Sequence, residues 1–290
     1  MFQRKRFRLK LRSRTLVLGK HTLIMGVLNV TPDSFSDGGV YPNLDAAVAR
    51  ALQIEREGAD ILDIGGESTR PGAKPVSARQ EVLRILPVLA ELRGRLRIPI
   101  SVDTRKAEVA EAAFAAGAEI LNDVSALRFD PRLAEAARKA DVPVILMHMR
   151  GDPQTMQQGP FARNVIRDVM AGLRESLTRA RRAGITKSRI VLDPGIGFGK
   201  NEDQNFQILA RLPEFARLGY PIAIGTSRKK FLGNALARPG EPALPSEKRI
   251  LGTAATVTSS ILGGAHIIRV HDVADMAGVV RVADRIAHFR

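Results

Sequence analysis

The chain has 290 residues and carries 45 Lys or Arg against 30 Asp or Glu, which gives a formal net charge of +15, and it has no cysteine. The lack of cysteine excludes disulfides, thiolate catalysis and cysteine-ligated metals, and it agrees with a cytoplasmic location. No run of apolar residues reaches the roughly eighteen needed to cross a bilayer, so we predict neither a membrane span nor a secretory signal.

The positive charge is concentrated at the N-terminus, where seven basic residues and no acid occupy the first fourteen positions. Apolar and basic residues alternate from Phe7 to Arg12, which predicts a half-buried strand that pairs with Thr15 to Leu18. We therefore assign residues 1–20 to a basic N-terminal β-hairpin. Such a tail also suits a transit peptide or nucleic-acid binding. We expect no nucleic-acid partner, because the rest of the chain is only mildly basic.

Residues 21–290 show eight apolar, β-rich runs with amphipathic stretches of helical spacing between them. The predicted strands are His21 to Val30, Ile61 to Ser68, Ile98 to Thr104, Ile120 to Ala126, Pro143 to Arg150, Ile190 to Gly197, Pro221 to Arg228 and Ile267 to Val273. The predicted helices include Leu44 to Glu57, Ala78 to Arg93, Arg105 to Ala116, Arg132 to Ala140, Ala162 to Ala183 and Gln204 to Leu218.

A Pro- and Gly-rich linker, Arg238 to Pro245, separates two further helices, the second of which is predicted to begin near Ser246. Eight buried strands that alternate with helices predict an α/β fold, a single (β/α)₈ TIM barrel over residues 21–290. A doubly wound open sheet is the main alternative.

Polar side chains stand at the carboxyl end of every predicted strand. In a barrel these ends converge on one mouth, so each such residue is a candidate for the site. The candidates, in chain order, are Asn29, Glu67, Ser68, Thr69, Arg70, Asp103, Asn122, Asp123, His148, Asp193, Ser227, Arg228, Lys229, Arg269, His271 and Asp272.

Three of these candidates indicate a flat, nitrogen-rich ligand. Asp103, Asn122 and Asp193 offer oxygens that could accept parallel N–H bonds from an amino-substituted heterocycle. Each also has a structural interpretation: Asp103 could cap the next helix, Asn122 could satisfy loop backbone, and Asp193 could form a turn with Pro194.

A second group of candidates indicates an anion beside that ring. The loops after the seventh and eighth strands of a barrel commonly bind phosphate, and the cationic or potentially cationic candidates are Arg70, Lys229, Arg269 and His271. Hard oxygen ligands that would supplement phosphate oxygens around Mg²⁺ come from Asn29, Asp33 and Asp37.

Two other candidates and one motif have mainly structural interpretations. Glu67 fits either a pocket wall or an ion pair, and His148, between two methionines, is interpreted as structural. The glycine-rich stretch from Asp193 to Lys200 matches neither a Walker P-loop nor a dinucleotide fingerprint. Its alternate glycines would let the backbone pass close to a ligand.

The motifs resemble those of the dihydropteroate synthases over nearly the whole chain from about Leu16. The matching stretches are MGVLNVTPDSFSDGG (25–39), DIGGESTRPGA (63–73), SVDT (101–104), NDVSA (122–126), MHMRGDPQTMQ (147–157), DPGIGFGK (193–200), GTSRKKFLG (225–233) and RVHDV (269–273).

This resemblance implies a (β/α)₈ barrel that condenses 6-hydroxymethyl-7,8-dihydropterin diphosphate with 4-aminobenzoate to 7,8-dihydropteroate and pyrophosphate. It implies that the pterin is held by Asp103, Asn122, Asp193, Lys229 and Arg269. It places the diphosphate on Asn29, Arg269 and His271, with Mg²⁺ at Asn29. The aminobenzoate subsite would comprise Phe35, Thr69, Arg70, Pro71 and Phe198, and the catalytic residues would be Asn29, Lys229, Arg269 and His271.

The resemblance also implies a homodimer and leaves two alternatives open. One is a pterin-binding methyltransferase of the methyltetrahydrofolate and corrinoid type, which needs neither a diphosphate nor an aminobenzoate subsite. The other is a basic protein that binds nucleic acid through its tail. Many relatives have a serine where this chain has Lys230, so the contact to the aminobenzoate carboxylate stays open.

Overall fold

A computed structural model describes residues 4–31, 44–68, 72–152 and 154–289. The strands are β1 (Phe7–Lys10), β2 (Thr15–Leu18), β3 (Leu23–Asn29), β4 (Ile61–Gly65), β5 (Ile100–Asp103), β6 (Ile120–Asp123), β7 (Val144–Met147), β8 (Ile190–Asp193), β9 (Ala223–Ile224) and β10 (Ile267–Val270). The helices are α1 (Leu44–Arg56), α2 (Ala78–Leu92), α3 (Ala107–Ala115), α4 (Leu133–Lys139), α5 (Val165–Arg182), α6 (Glu202–Ala210), α7 (Lys230–Leu236), α8 (Ile250–Leu262) and α9 (Val273–His288).

Strands β3 to β10 form one parallel sheet that closes on itself. Its strand order is β8, β7, β6, β5, β4, β3, β10 and β9. The two ends meet where Leu192 N donates to Pro221 O at 2.9 Å and Leu192 forms a parallel bridge with Ile222. The predicted (β/α)₈ barrel is therefore confirmed, and the open-sheet alternative is wrong.

The floor of the barrel is apolar and is covered by the N-terminal hairpin. Strands β1 and β2 pair antiparallel, as predicted from the alternation of Phe7 to Arg12. Leu9, Leu11 and Leu18 of the hairpin pack in one buried cluster with inward side chains of the barrel strands, namely Met25, Ile61, Ile120, Ile145, Val191, Ala223 and Ile267. The apolar face of the hairpin therefore plugs the amino-terminal end of the barrel.

Some of the basic residues of the tail also hold it to the barrel. Arg4 pairs with Asp284 at 3.0 Å, and Arg12 Nη2 donates to Phe114 O at 3.0 Å and to Ala118 O at 2.7 Å. These contacts give part of the N-terminal charge a structural role.

The polar candidates occupy the next layer of the barrel interior. Successive side chains of a strand point to opposite faces, so residues two positions apart share a face. Counting two positions on from Ile61, Ile120 and Ile267 leads to Asp63, Asn122 and Arg269, and the same face holds Asp103 and Asp193. The outward-facing neighbours of these residues pack against the helices instead: Leu62, Val102, Leu121, Leu192 and Ile268.

Two predicted helix boundaries are wrong. The predicted helix Gln204 to Leu218 is two elements, α6 and a 3₁₀ helix at Leu212–Leu218. Pro213 in the first turn of the second element lacks the N–H donor that a continuous α-helix needs there. Ser246 begins a short 3₁₀ helix, Ser246–Lys248, and does not cap α8, which starts at Ile250.

Candidate active site

The carboxyl ends of the barrel strands surround an open cleft, whose empty space is about 480 Å³ when the part open to solvent is included. The structure brings together in it these predicted site residues: Asp103, Asn122, Asp193, Phe198, Lys229, Arg269 and His271. The remaining lining residues are Val124, Met147, Ile196, Gly225 and Ser227. Polar side chains from five strands or the loops after them thus meet in one apolar-walled space, as their positions at strand ends predicted.

The guanidinium of Arg269, which lines this cleft, is held between two carboxylates. Its Nε donates to Asp63 Oδ2 at 2.6 Å, and its Nη2 donates to Asp103 Oδ2 at 2.7 Å. Asn122 Nδ2 donates to the same Asp63 oxygen at 3.0 Å. Although burial opposes its charge, the carboxylates of Asp63 and Asp103 hold the pKa of Arg269 above its ordinary value. This network fixes the orientation of Arg269 and Asn122 before any ligand binds.

Asp63 is the residue of this network that the sequence analysis missed. It lies in the middle of β4 and is fully buried, whereas the search for candidates considered only strand ends. The sequence did contain a signal for Asp63, because it is an acid at an inward position of an apolar run. A fully buried carboxylate needs a cationic or hydrogen-bonding partner, so such an acid indicates a polar network inside the barrel.

Asp103 presents an open acceptor. Its Oδ1 is buried and accepts no hydrogen bond from the described part of the chain, and the same holds for Asp63 Oδ1. Burial raises the pKa of Asp103 to about 7, against the attraction of Arg269. A buried acceptor without a partner costs free energy, so an N–H donor from a ligand would stabilise this site.

Lys229 and Phe198 form the opposite wall. Lys229 Nζ lies 4.0 Å from the centroid of the Phe198 ring, a cation–π contact. Burial lowers the pKa of Lys229 to about 7, while Asp193 opposes that shift. Burial also raises the pKa of Asp193, whose Oδ1 accepts a hydrogen bond from Gly195 N at 2.7 Å. The turn interpretation of Asp193 is therefore correct for one oxygen, and the residue still lines the cleft.

The cationic side of the cleft continues to His271. Its Nδ1 lies 3.0 Å from Ser227 Oγ, which also accepts a hydrogen bond from His271 N at 3.1 Å. His271 follows β10 directly and is placed on the same side of the strand as Arg269. Ser227 thus orients the imidazole that the sequence analysis assigned to the anionic group.

Asn29 lies at the carboxyl end of β3, half-buried and in register with Gly65 of β4. It is not among the described residues that line the cleft. Within residues 4–31, 44–68, 72–152 and 154–289, no cluster of three or more His, Asp or Glu could hold a metal. The predicted site residues Phe35, Thr69, Arg70 and Pro71, and the acids Asp33 and Asp37, lie outside the described residues.

The structure decides between several of the alternative interpretations. Asp103 does not cap α3, whose N-cap is Lys106 without a side-chain bond. Glu67 forms ion pairs with Lys106 at 2.7 Å and with Arg105 at 3.2 Å, and it does not line the cleft. Arg228 pairs with Asp272, its Nε lying 3.0 Å from Asp272 Oδ2. The ion pairs of Glu67 and Arg228 are therefore structural contacts around the site.

Comparison with known proteins agrees with this geometry. Residues 25–271 match the family described as pterin binding enzyme. Over 268 residues the chain is 47% identical to the dihydropteroate synthase of Synechocystis sp., which covers 92% of this chain and 91% of the relative. The chain belongs to the dihydropteroate synthase family. Its activity is that of a dihydropteroate synthase, a transferase of folate synthesis.

Solved dihydropteroate synthases share the whole fold. The Yersinia pestis enzyme, solved with a sulfonamide drug complex, superposes with a TM-score of 0.90 at 40% identity and covers 98% of this chain and 100% of its own. The Xanthomonas albilineans enzyme in complex with 7,8-dihydropteroate gives 0.85 at 41% identity, with 96% and 98% covered. These matches favour a dihydropteroate synthase over the methyltransferase alternative.

Proposed function

We propose that this cleft binds 6-hydroxymethyl-7,8-dihydropterin diphosphate and couples it to 4-aminobenzoate, giving 7,8-dihydropteroate and pyrophosphate. The observation that carries the proposal is the open, buried Asp103 Oδ1 beside a clamped Arg269. The amino-pyrimidine edge of a pterin presents N–H donors in one plane, and such an edge would satisfy this acceptor.

The pterin edge would meet three acceptors and one donor. Asp103, Asn122 and Asp193 would accept N–H bonds from the ring, and Lys229 would donate to ring oxygen or nitrogen. Arg269 would pack on the ring face. Its position is supported by Asp63, which holds Arg269 at 2.6 Å and Asn122 at 3.0 Å from one oxygen.

The diphosphate would lie toward the cationic side of the cleft. Arg269 and His271 line this side, and Asn29 stands at the end of β3. Asn29 offers one hard oxygen ligand, and the described chain holds no acidic cluster that could bind a metal by itself. This donor set fits Mg²⁺ held mainly by substrate phosphate oxygens and water. When bound there, Mg²⁺ would supply charge neutralisation of the leaving pyrophosphate.

The chemistry we propose is a dissociative substitution. The bond between the pterin methylene carbon and the diphosphate oxygen breaks, and the electron pair leaves with pyrophosphate. The electron-rich dihydropterin delocalises the resulting cation, the amine nitrogen of 4-aminobenzoate bonds to the methylene, and the amine then loses a proton. Arg269 and His271 stabilise the departing charge, and Asp103, Asn122 and Asp193 hold the ring in place, so positioning and electrostatics replace a strong base.

The aminobenzoate ring would lie against Phe198, which lines the cleft beside Lys229. We assign Phe35, Thr69, Arg70 and Pro71 to the same subsite, from the first and second loops.

The enzyme is further proposed to be a cytoplasmic homodimer paired through helices. An apolar stripe at the end of α9 supports pairing: Val282 and Ile286 of the helix and its C-cap residue Phe289 are 63%, 47% and 73% exposed. In the described part of the chain, no helix combines the length and apolar character required to cross a membrane.

The direct test is pyrophosphate release when the protein is mixed with Mg²⁺, the pterin diphosphate and 4-aminobenzoate. We expect release that requires the amine and is matched by an equal amount of dihydropteroate. Release that ignores the amine would identify a hydrolase, and absence of release from a folded, pterin-binding protein would contradict the proposal.

A further inference from the structure

Lys200 is a buried lysine that the proposed reaction does not use. It is 3% exposed and lies at the end of the glycine-rich loop after β8. Its ammonium group donates to Phe198 O at 2.9 Å, His148 Nδ1 at 3.1 Å and His148 O at 3.3 Å. All three acceptors are uncharged, since burial lowers the pKa of His148 to about 2. Burial also lowers the pKa of Lys200 to about 7, so the fold holds this charge at a cost.

The loop that ends at Lys200 lies directly on the loop after β7. A Cβ atom on Gly195 would come within 1.9 Å of His148 O, and one on Gly199 within 2.4 Å of Arg150 O. Both glycines have positive φ, +70° and +66°, which residues with side chains rarely adopt. The two backbones can approach this closely because these positions are glycine. Lys200 joins the two loops from one side, and Gln157 Nε2, which donates to Gly197 O at 2.6 Å, joins them from the other.

The loop that ends at Lys200 includes Phe198, an aromatic residue in the wall of the cleft. The carbonyl that accepts from Lys200 belongs to Phe198, whose ring lies 4.0 Å from Lys229 Nζ. Phe198 lines the cleft, whereas Lys200 does not. Phe198 N also donates to Gly195 O at 3.2 Å, so the peptide planes on both sides of Phe198 are held and the Cα–Cβ bond that carries its ring has a set direction.

We propose that Lys200 is a positioning residue, which anchors the Phe198 backbone on His148 and so holds the Phe198 ring where 4-aminobenzoate binds. The inference rests on the proposed function, because it deepens the assignment of Phe198 to the aminobenzoate subsite.

Three of the residues proposed to hold the pterin, Asp103, Asn122 and Arg269, lie on β5, β6 and β10, which Lys200 does not contact. The other two lie nearer to the Lys200 loop, since Asp193 precedes it on β8 and Lys229 packs on the Phe198 ring. Loss of the ammonium group therefore weakens aminobenzoate binding more than it weakens pterin binding.

The test is the Lys200→Met variant, which keeps an unbranched apolar side chain as far as Cε and removes the ammonium group. At saturating pterin diphosphate, the KM for 4-aminobenzoate should rise about tenfold, which corresponds to the loss of one hydrogen-bonded anchor. The kcat and the Kd for a pterin, measured by calorimetry, should each stay within about twofold, inside the range expected of a distant residue. Lys139→Met, at an exposed lysine of α4, is the matched control and should change none of these values.

A double-mutant cycle shows whether Lys200 acts through Phe198. Phe198→Ala alone should raise the aminobenzoate KM, and adding Lys200→Met should raise it no further, because there is no ring left to position. Independent, multiplicative effects of the two substitutions would overturn the proposal. An unchanged KM in Lys200→Met, or an equal loss of pterin affinity, would overturn it as well.

Two variants at His148 keep the proposal testable if Lys200→Met does not fold. His148→Asn retains an acceptor near the position of Nδ1, whereas His148→Leu removes it. We expect the aminobenzoate KM to stay near the wild-type value in the first variant and to rise in the second. Equal values in both would contradict the positioning role. A wild-type protein that releases no pyrophosphate contradicts the proposed function instead, so the two failures are distinguishable.

Discussion

The residue on which the site is built is Arg269. One guanidinium hydrogen-bonds Asp63 and Asp103, and Asp63 also receives the amide of Asn122. Breaking a buried ion pair leaves an uncompensated charge, which costs more than the intact pair contributes. Asp63 does not line the cleft, so its role is to position the residues that do.

Replacing Asp63 by Leu should therefore destabilise the protein and weaken pterin binding together. The expected loss in the free energy of unfolding is about 1–3 kcal/mol, because Arg269 keeps Asp103 as a partner while Asn122 Nδ2 loses its buried acceptor. Urea unfolding and calorimetry with a pterin measure the two effects. Asp203→Asn, at an exposed position of α6, is the control. A variant with unchanged stability would show that Arg269 is sufficiently neutralised by Asp103 alone.

The pH dependence of activity should reflect Asp103 and Lys229. Burial raises the pKa of Asp103 to about 7, so the carboxylate that we propose accepts from the pterin is lost as the pH falls below that value. Burial lowers the pKa of Lys229 to about 7, so its charge is lost as the pH rises above it. We expect kcat/KM for the pterin diphosphate to fall on both sides of neutrality.

Asp103→Asn should remove the acid limb of that profile while lowering its maximum. The Lys139→Met variant should reproduce the wild-type profile. A wild-type profile that is flat from about pH 6 to 9 would contradict a binding role for both groups.

Among the elements, the hairpin β1–β2 has two faces with different environments: one packs on the barrel and the other faces solvent. Leu18 is fully buried in the floor of the barrel, and its neighbour Val17 is 48% exposed. The alternation of apolar and basic residues predicted this arrangement, because one face of a strand must be covered when the other is solvated. The hairpin lies at the opposite end of the barrel from the cleft, so its contribution belongs to stability.

Leu18→Ala should cost about 2–5 kcal/mol of unfolding free energy, since it removes buried methyl groups and leaves a cavity. Val17→Ala, its neighbour in the same strand, should cost less than about 0.5 kcal/mol, as expected of an exposed position. Equal effects of the two substitutions in urea unfolding would mean that the hairpin does not pack on the barrel. Well below the unfolding transition, both variants should keep the wild-type kcat/KM.

For the whole molecule, the sequence was sufficient to predict the barrel and most of the cleft. Few folds bury eight apolar strands that alternate with helices, and in a barrel the carboxyl ends of all the parallel strands lie around one mouth. Asp103, Asn122, Asp193 and Arg269 were found because each ends, or nearly ends, an apolar run. Asp63 was missed because it lies in the middle of an apolar run, whereas the predicted site residues were taken from the ends of such runs.

Contacts between loops were beyond sequence reasoning. The bond from Lys200 to His148 joins residues fifty-two positions apart, and neither has a local pattern that indicates the other. Pro213 indicated a break between α6 and the 3₁₀ helix, but the helical spacing of the apolar residues favoured one continuous helix. Local patterns thus predicted elements and their faces, whereas the pairing of loop residues depends on backbone approach that only the folded chain shows.

We propose that acids from separate strands hydrogen-bond the edge of one flat pterin ring. Calorimetric titration of 6-hydroxymethylpterin into the wild type and into Asp193→Asn tests it most directly. We predict measurable binding to the wild type and a loss of about 1–3 kcal/mol in the variant, the range for a hydrogen bond to a charged group. Equal affinity in the two proteins would remove Asp193 from the site and contradict the account.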